Sequence, residues 1–235
     1  MALSLPKGWG EGRKGVAMAP YYPVFLDLKG RHCVVIGGGE VAERKVQGLL
    51  ECHARVTVVS PSAAPNIRER AGTGELQWQA REYAEGDLKG AFLAIAATDR
   101  REVNEAVACE AAREGVILNV VDNPALCTFI APSVVRRGEV TLALSTGGAS
   151  PALARKIRES LERSEALEFS YLAEILSFVR KELRRRGVEV QPDRWQESIT
   201  EELVALVKAG KSQQALDQLI NNLLEISQEE AKALS

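Results

Sequence analysis

A triple-glycine turn between an apolar run and a helical pattern carries the clearest chemistry in this chain. The residues that form it are Gly37, Gly38, Gly39, Glu40 and Val41. Gly37 permits a tight turn, and Gly39 lets the backbone approach a pyrophosphate, while Ala42 allows a helix to pack closely on a strand. Free N–H groups at the start of that helix favour negative charge. The segment therefore predicts binding of NAD or a related dinucleotide.

A second candidate segment follows the next β-branched run and consists of Ser60, Pro61 and Ser62. Hydroxyl and backbone N–H groups here can contact the adenosine ribose of a dinucleotide. Domains that select NAD usually place an acidic residue at this point, and those that select NADP an arginine nearby. This chain has neither, so the residues themselves leave the choice between NAD and NADP open.

Small and polar residues also follow the fourth apolar run, as Ala97, Thr98 and Asp99. Ligands of such domains bind at the carboxyl ends of the strands, where small residues let a nicotinamide or ribose ring pack against the backbone. We expect cofactor contact here. The alternative is that Thr98 or Asp99 only caps the helix that follows.

The fifth run ends with a candidate general base. Asn119 and Asp122 lie at this strand end, which places Asp122 at the mouth of the expected cleft. A carboxylate there can take a proton while a hydride leaves the substrate. The alternative is a turn residue before Pro124. Asn119 is a candidate substrate contact.

A second anion site is predicted where a glycine- and hydroxyl-rich loop enters a helix. Its candidate substrate-binding residues are Ser145, Gly147, Gly148, Ser150 and Arg155. Loop N–H groups, the helix start and nearby basic side chains together suit a polyanion. The alternative is a capped helix with solvated basic residues.

Alternating strand and helix patterns must position these segments. Strands are predicted over 32–36, 55–60, 76–79, 92–97 and 117–121, with helices over 41–50 and 101–113. Short connections between such elements favour a Rossmann-like α/β fold with a doubly wound parallel sheet.

The pattern changes after Val121. Two strands are predicted over 129–135 and 139–145, followed by helices over 166–186, 193–209 and 212–222. We therefore expect an NAD-binding domain over 21–126, a small α+β dimerisation and substrate region over 127–163, and a C-terminal helical domain over 164–235. Residues 1–20 are expected to be a disordered extension, with Met18 as an alternative start.

Composition excludes several classes of protein. The 235 residues carry a net charge of −2, which gives no general attraction to nucleic acid or to a membrane surface. No apolar run approaches the roughly 20 residues of a membrane-spanning helix. The four cysteines lack Cys-x-x-Cys spacing, and we expect buried, reduced thiols in a cytoplasmic protein without a metal site.

Several separated motifs together resemble the family of precorrin-2 dehydrogenases, the N-terminal module of siroheme synthases. They span roughly residues 21–161 and are Tyr-Pro-Val-Phe at 22–25, Gly-Gly-Gly-Glu-Val-Ala-Glu-Arg-Lys at 37–45, Val-Thr-Val-Val-Ser-Pro at 56–61, Ala-Ala-Thr-Asp at 96–99 with Asn104, Asn-Val-Val-Asp at 119–122, Phe-Ile-Ala-Pro-Ser at 129–133, and Ser-Thr-Gly-Gly-Ala-Ser-Pro at 145–151. The glycine and serine motifs are the most specific.

The resemblance implies a homodimer that oxidises precorrin-2 to sirohydrochlorin with NAD. It implies cofactor contacts at Glu40, Val41, Pro61 and Ser62, and a role in dehydrogenation for Asp122. Ser145 matches a serine associated with regulation by phosphorylation at the tetrapyrrole site.

Several functions stay open on the sequence. A dehydrogenase is favoured, and the same chain could also insert Fe²⁺ into sirohydrochlorin as a ferrochelatase. A chelatase that keeps the NAD fold as a scaffold and a non-enzymatic sensor of NAD or tetrapyrrole are the alternatives.

Overall fold

Five parallel strands form the sheet that carries the predicted cofactor segments. They are β1 (His32–Ile36), β2 (Arg55–Val59), β3 (Gln77–Gln79), β4 (Leu93–Ala96) and β5 (Ile117–Val120), in the order β3-β2-β1-β4-β5. The structure is a computed structural model that describes residues 21–233 and the side chains of 21–223. The expected extension over 1–20 lies outside the described residues.

Three helices cover this sheet: α1 (Glu40–Glu51), α2 (Pro65–Gly72) and α3 (Arg101–Glu114). A short 3₁₀ turn, Pro124–Leu126, follows β5. Helix α2 was not predicted from the sequence, because Ile67 is its one fully buried residue and a single apolar position gives no helical period. The order of elements confirms the Rossmann-like α/β prediction.

Both faces of the sheet are buried, which explains the nearly continuous apolar strands. Along β1, Cys33 and Val35 belong to an apolar cluster on one face, whereas Val34 and Ile36 belong to the cluster on the other. Ala42 is fully buried, as close packing of α1 on the sheet requires.

Residues from Pro132 onward form a second compact unit, described here by itself. It contains the antiparallel strands β6 (Ser133–Arg137) and β7 (Val140–Leu144) and the helices α4 (Pro151–Glu162), α5 (Ala173–Arg185), α6 (Pro192–Glu197), α7 (Glu201–Lys208) and α8 (Ser212–Ala233). A 3₁₀ segment, Glu165–Leu172, precedes α5. Helices α5 to α8 share an apolar core that runs from Leu172 to Leu223.

Two elements of this unit differ from their sequence predictions. The strand predicted over 129–135 begins only at Ser133, because Thr128 and Phe129 donate their N–H groups to the carbonyl of Leu118 at 2.8 and 3.3 Å. The helix predicted over 193–209 is two helices, since the hydroxyl of Thr200 accepts a hydrogen bond from the N–H of Leu203 and starts α7 anew.

The helix predicted over 166–186 also differs, since its first part is the 3₁₀ segment before α5. The expectation of buried thiols was wrong for Cys109, which is exposed, and correct for Cys33; the cysteines of the described residues are all free. Among the helices described, none is long and apolar enough to span a membrane.

Candidate active site

A cleft of about 880 Å³ opens at the carboxyl ends of the parallel strands, and the first unit supplies all of its lining. Most of the predicted cofactor residues line it: Gly37, Gly38, Gly39, Glu40, Val41, Ser60, Pro61, Ala97, Thr98 and Asp99. Asp122 lines it as well. The structure therefore brings together segments that are separated by more than 80 residues in the chain.

Gly37 and Gly38 are required by the packing of neighbouring strand ends. Gly37 has a φ of +121°, and a Cβ atom there would lie 2.2 Å from the carbonyl oxygen of Ala97. A Cβ atom on Gly38 would lie 2.1 Å from the carbonyl oxygen of Ser62. Larger residues at these positions would push apart the loops that form the cleft floor.

Gly39 serves a different purpose, because a Cβ atom there would meet nothing within 4 Å. It is the N-cap of α1 and has no side chain with which to cap the helix. Open space in front of an uncapped helix start fits a pyrophosphate, whose oxygens can accept hydrogen bonds from the N–H groups of the first turn.

The end of β2 contributes Ser60 and Pro61 to the cleft, whereas Ser62 is absent from its lining. Ser60 is buried, and its carbonyl accepts a hydrogen bond from the indole N–H of Trp78 at 3.0 Å. The backbone of Ser62 packs behind Gly38.

At the end of β4, neither Thr98 nor Asp99 is the N-cap of the helix that follows. The N-cap of α3 is Arg100 and has no side-chain cap; the Thr98 hydroxyl only accepts a hydrogen bond from the Arg100 N–H at 3.2 Å. Asn104 donates from Nδ2 to the carbonyl of Thr98 at 3.0 Å, while its Oδ1 is buried without a partner. An unsatisfied acceptor in a cleft-lining residue fits a polar ligand.

Asp122 presents an exposed carboxylate to the cleft. Its φ of +59° places it in the left-handed region, which aspartate tolerates better than most residues. Among the described residues its carboxylate makes no hydrogen bond, so the alternative of a turn stabilised by this side chain has no support in the structure. The oxygens are available to accept a proton from a ligand.

Asn119, in contrast, is not among the residues that line the cleft. It is buried, and its Nδ2 donates to the carbonyl of Phe129 at 3.1 Å and approaches the Cys127 sulfur at 3.6 Å. These contacts hold the loop that carries Asp122.

Tyr83 lines the cleft and was missed from the sequence. Its hydroxyl donates to Glu110, a buried carboxylate on α3 that also accepts the N–H groups of Gly86 and Leu88, both at 3.0 Å. Burial and the Glu110 carboxylate raise the pKa of Tyr83 above its ordinary value. The bond holds the β3–β4 connection against α3. A contact between residues 27 positions apart cannot be predicted from a local sequence pattern.

The predicted second anion site lies in the second unit, as a loop and helix start. The Ser150 hydroxyl caps α4 by accepting the N–H of Leu153 at 3.1 Å, and that of Ser145 accepts the N–H of Gly147 at 3.0 Å. Gly147 and Gly148 both have positive φ. Arg155 pairs with Glu159 at 2.8 Å. The helix is thus capped, and the anion site stays a prediction.

Comparison with known proteins gives two family matches. Residues 24–133 match the family described as "Putative NAD(P)-binding", and residues 137–164 match "Sirohaem biosynthesis protein central". A nicotinamide cofactor therefore belongs to the cleft of the first unit.

Similar proteins include the siroheme synthases of Nitrosomonas europaea and Methylococcus capsulatus, each 40% identical over 85% and 83% of this chain and each matched over 42% of its own length. The chain thus spans less than half the length of these relatives. The solved structure of SirC, precorrin-2 dehydrogenase, is similar over its whole length and 86% of this chain, with 30% identity and a TM-score of 0.68.

Proposed function

The chain belongs to the family of precorrin-2 dehydrogenases and siroheme synthase N-terminal modules, and from that premise we propose that it oxidises precorrin-2 to sirohydrochlorin with NAD as the hydride acceptor. The observation that carries the proposal is an exposed Asp122 carboxylate without hydrogen-bond partners on the cleft that the glycine turn also lines. Precorrin-2 loses a hydride and a proton in this reaction, and NAD, when bound, would supply the hydride acceptor.

The work of the chain is then binding, orientation and proton transfer. The first turn of α1 and Gly39 hold the pyrophosphate, and Ser60 and Pro61, with Ser62 behind them, surround the adenosine ribose. Ala97, Thr98 and Asp99 surround the nicotinamide side of the cofactor. Asp122 takes the proton from the macrocycle. The proton is released to solvent as H⁺ when the carboxylate is regenerated.

NAD is proposed over NADP because the residues after β2 offer nothing to a ribose phosphate. Positions 60–65 read Ser-Pro-Ser-Ala-Ala-Pro and contain no cation. Of the cleft residues nearby, Arg100 is paired with Glu82 at 2.7 Å. Discrimination is measured by comparing kcat/KM for the two cofactors, and a preference for NADP would overturn this choice.

The tetrapyrrole is proposed to use the loop before α4. Precorrin-2 resembles other uroporphyrinoids in carrying eight carboxylates, and these need N–H donors and basic side chains. Such groups are supplied by Ser145, Gly147, Gly148, Ser150 and Arg155.

A homodimer is proposed with the second unit at the subunit interface, because the large apolar side chains of Leu153, Phe169, Tyr171 and Phe178 are exposed. Light scattering should then give twice the mass of one chain.

The decisive assay mixes the protein with precorrin-2 and NAD under anaerobic conditions and records sirohydrochlorin absorbance. Turnover supports the dehydrogenase, and folded protein that binds NAD without turning over precorrin-2 would instead indicate a sensor.

Iron insertion is a second proposed activity, supported by the similarity to siroheme synthases. Supplying sirohydrochlorin with Fe²⁺ or Co²⁺ in the absence of NAD separates it from dehydrogenation. Metal insertion there would add a chelatase role, and its absence would leave the dehydrogenase alone.

A further inference from the structure

The loop that carries Asp122 folds back around the thiol of Cys127. The sulfur accepts the N–H of Val120 at 3.1 Å. It also lies 3.3 Å from the carbonyl oxygens of Val120 and Asn123, the two acceptors for its S–H. Val120 precedes Asp122 by two residues, and Asn123 follows it directly. A single side chain therefore binds the backbone on both sides of the proposed base.

Further contacts close the same loop at its base. The Asn119 amide donates to the carbonyl of Phe129 and approaches the Cys127 sulfur. The Thr128 hydroxyl accepts the N–H of Leu118 at 2.7 Å. Residues 118–129 thus form a closed loop with Cys127 at its centre and Asp122 toward the cleft.

The backbone of Asp122 needs such support. Its φ of +59° is in a region that costs a non-glycine residue of order 1 kcal/mol or more, unless the surroundings determine the conformation. Besides the bonds to the thiol, the turn from Val120 to Asn123 has one internal bond, from the Asn123 N–H to the Val120 carbonyl at 3.3 Å. Its other backbone bonds, from the Val121 N–H to Ala96 at 2.9 Å and from the Leu126 N–H to Asn123 at 3.2 Å, do not involve Asp122.

Helix α1 places a cation opposite this loop. Lys45 is partly buried and interacts electrostatically with both Asp122 and Cys127. Burial, followed by the charge of Arg44, lowers the pKa of Lys45.

We propose that Cys127 is a positioning residue for the dehydrogenation: its thiol holds the turn at 120–123 so that the Asp122 carboxylate lies where it receives the substrate proton. The proposal rests on the proposed function. Misplacement of a catalytic group by about 1 Å can cost about 100-fold in rate, so loss of the thiol should act on the chemical step.

The test compares the full-length Cys127→Ala and Cys127→Ser variants with the wild type and with Cys109→Ala, a control at the exposed cysteine of α3. Serine keeps one donor and one acceptor in nearly the same place, whereas alanine has neither. Four quantities are measured: amide hydrogen exchange over 118–129, the Kd for NADH from fluorescence titration, and kcat and KM for precorrin-2.

We expect Cys127→Ala to speed exchange at Val120 and to lower kcat by about ten-fold to 100-fold with the NADH Kd within two-fold of the wild type. Cys127→Ser should recover most of both losses, and Cys109→Ala should change neither. Faster exchange with an unchanged kcat would overturn the proposal, as would parallel losses of kcat and NADH affinity that serine does not restore.

Failure of the proposed function is distinguishable from failure of this inference. Wild-type protein that binds NADH but does not oxidise precorrin-2 contradicts the dehydrogenase proposal. Wild-type-like exchange in Cys127→Ala contradicts the positioning role on its own, whatever the substrate.

Discussion

Asp122 joins an exposed carboxylate to a left-handed backbone and a loop built around a neighbouring thiol. This combination explains why a turn residue can serve as a base. Side chains of Cys127 and Asn119 make the hydrogen bonds that hold the loop, and among the described residues the Asp122 carboxylate makes none.

Replacing Asp122 with asparagine should remove the base and little else. Asparagine tolerates positive φ, so the fold and the NADH Kd should match those of the wild type. We expect kcat for precorrin-2 to fall about 100-fold or more, the usual scale for loss of a general base. Near-normal turnover by the folded variant would exclude Asp122 from proton transfer.

The glycine turn allows a matched pair of substitutions. Gly37→Ala would place a Cβ atom 2.2 Å from a carbonyl oxygen at a φ of +121°, so we expect lower stability, by about 2 kcal/mol or more. Gly39→Ala meets nothing within 4 Å and should unfold at the wild-type temperature.

Both glycine variants should bind NADH weakly, but for different reasons. The Gly39 variant fills the space proposed for the pyrophosphate while the fold is unchanged. Calorimetry of unfolding together with NADH titration checks this pair. A Gly39→Ala protein with wild-type affinity would contradict the proposed position of the pyrophosphate.

Most residues of the cleft could be predicted from the sequence, because glycines and polar residues that follow apolar strands lie at the carboxyl edge of a parallel sheet, where ligands bind. The roles of Tyr83 and Glu110 were not predictable in this way. Their bond joins a loop to a helix 27 residues away, and a glutamate within a helical pattern is normally taken as a solvent-exposed residue.

At the scale of elements, the parallel strands were predictable because each is apolar on both faces. The failures have local causes. Helix α2 buries only one apolar residue, so its sequence shows no helical period. Helices α6 and α7 are separated by a cap at Thr200, which was not predicted because the helical pattern continues across it. The alternative in which Thr98 or Asp99 caps the following helix does not hold, because α3 begins at Arg101, after an uncapped Arg100.

The β1–β2 pair should make stability depend on pH through His32. Its Nε2 lies 3.0 Å from the Thr57 hydroxyl, and burial, then the charge of Arg55, lowers its pKa below 6.5. The unfolded chain then binds more protons than the folded one at acidic pH. The stability contributed by neutral His32 is complete above pH 6.5 and is lost as pH falls through the lowered pKa of the folded state.

Replacing His32 with glutamine should reduce this dependence. The free energy of unfolding, measured with urea at several pH values below 6.5, should fall less steeply for His32→Gln than for the wild type. His53→Asn is the control, since His53 is exposed in a turn with a φ of 56°, which asparagine accepts. Equal slopes for His32→Gln and the wild type would contradict the account.

At the scale of the whole molecule, two compact units each have their own apolar cores, and the cofactor cleft belongs to the first alone. The sequence instead predicted three regions after residue 20, with boundaries after residues 126 and 163, and these boundaries stay predictions. The loop proposed to bind the tetrapyrrole and the exposed apolar residues proposed for the dimer both belong to the second unit.

A fragment that ends at Ala131 should therefore bind NADH with a Kd within a few-fold of that of the full chain, because it keeps every residue lining the cleft. It should not oxidise precorrin-2, since it lacks the loop from Ser145 to Arg155. Fluorescence titration and the turnover assay check both statements. A folded fragment that turns over precorrin-2 would remove that loop from the substrate site.

The most direct measurement is the stoichiometry of the reaction itself. Purified protein is mixed with anaerobic precorrin-2 and NAD, and NADH and sirohydrochlorin are recorded together, with Asp122→Asn in parallel. The account predicts equal amounts of the two products from the wild type and a rate reduced about 100-fold or more in the variant. Sirohydrochlorin without NADH, or neither product from folded, NAD-bound protein, would contradict it.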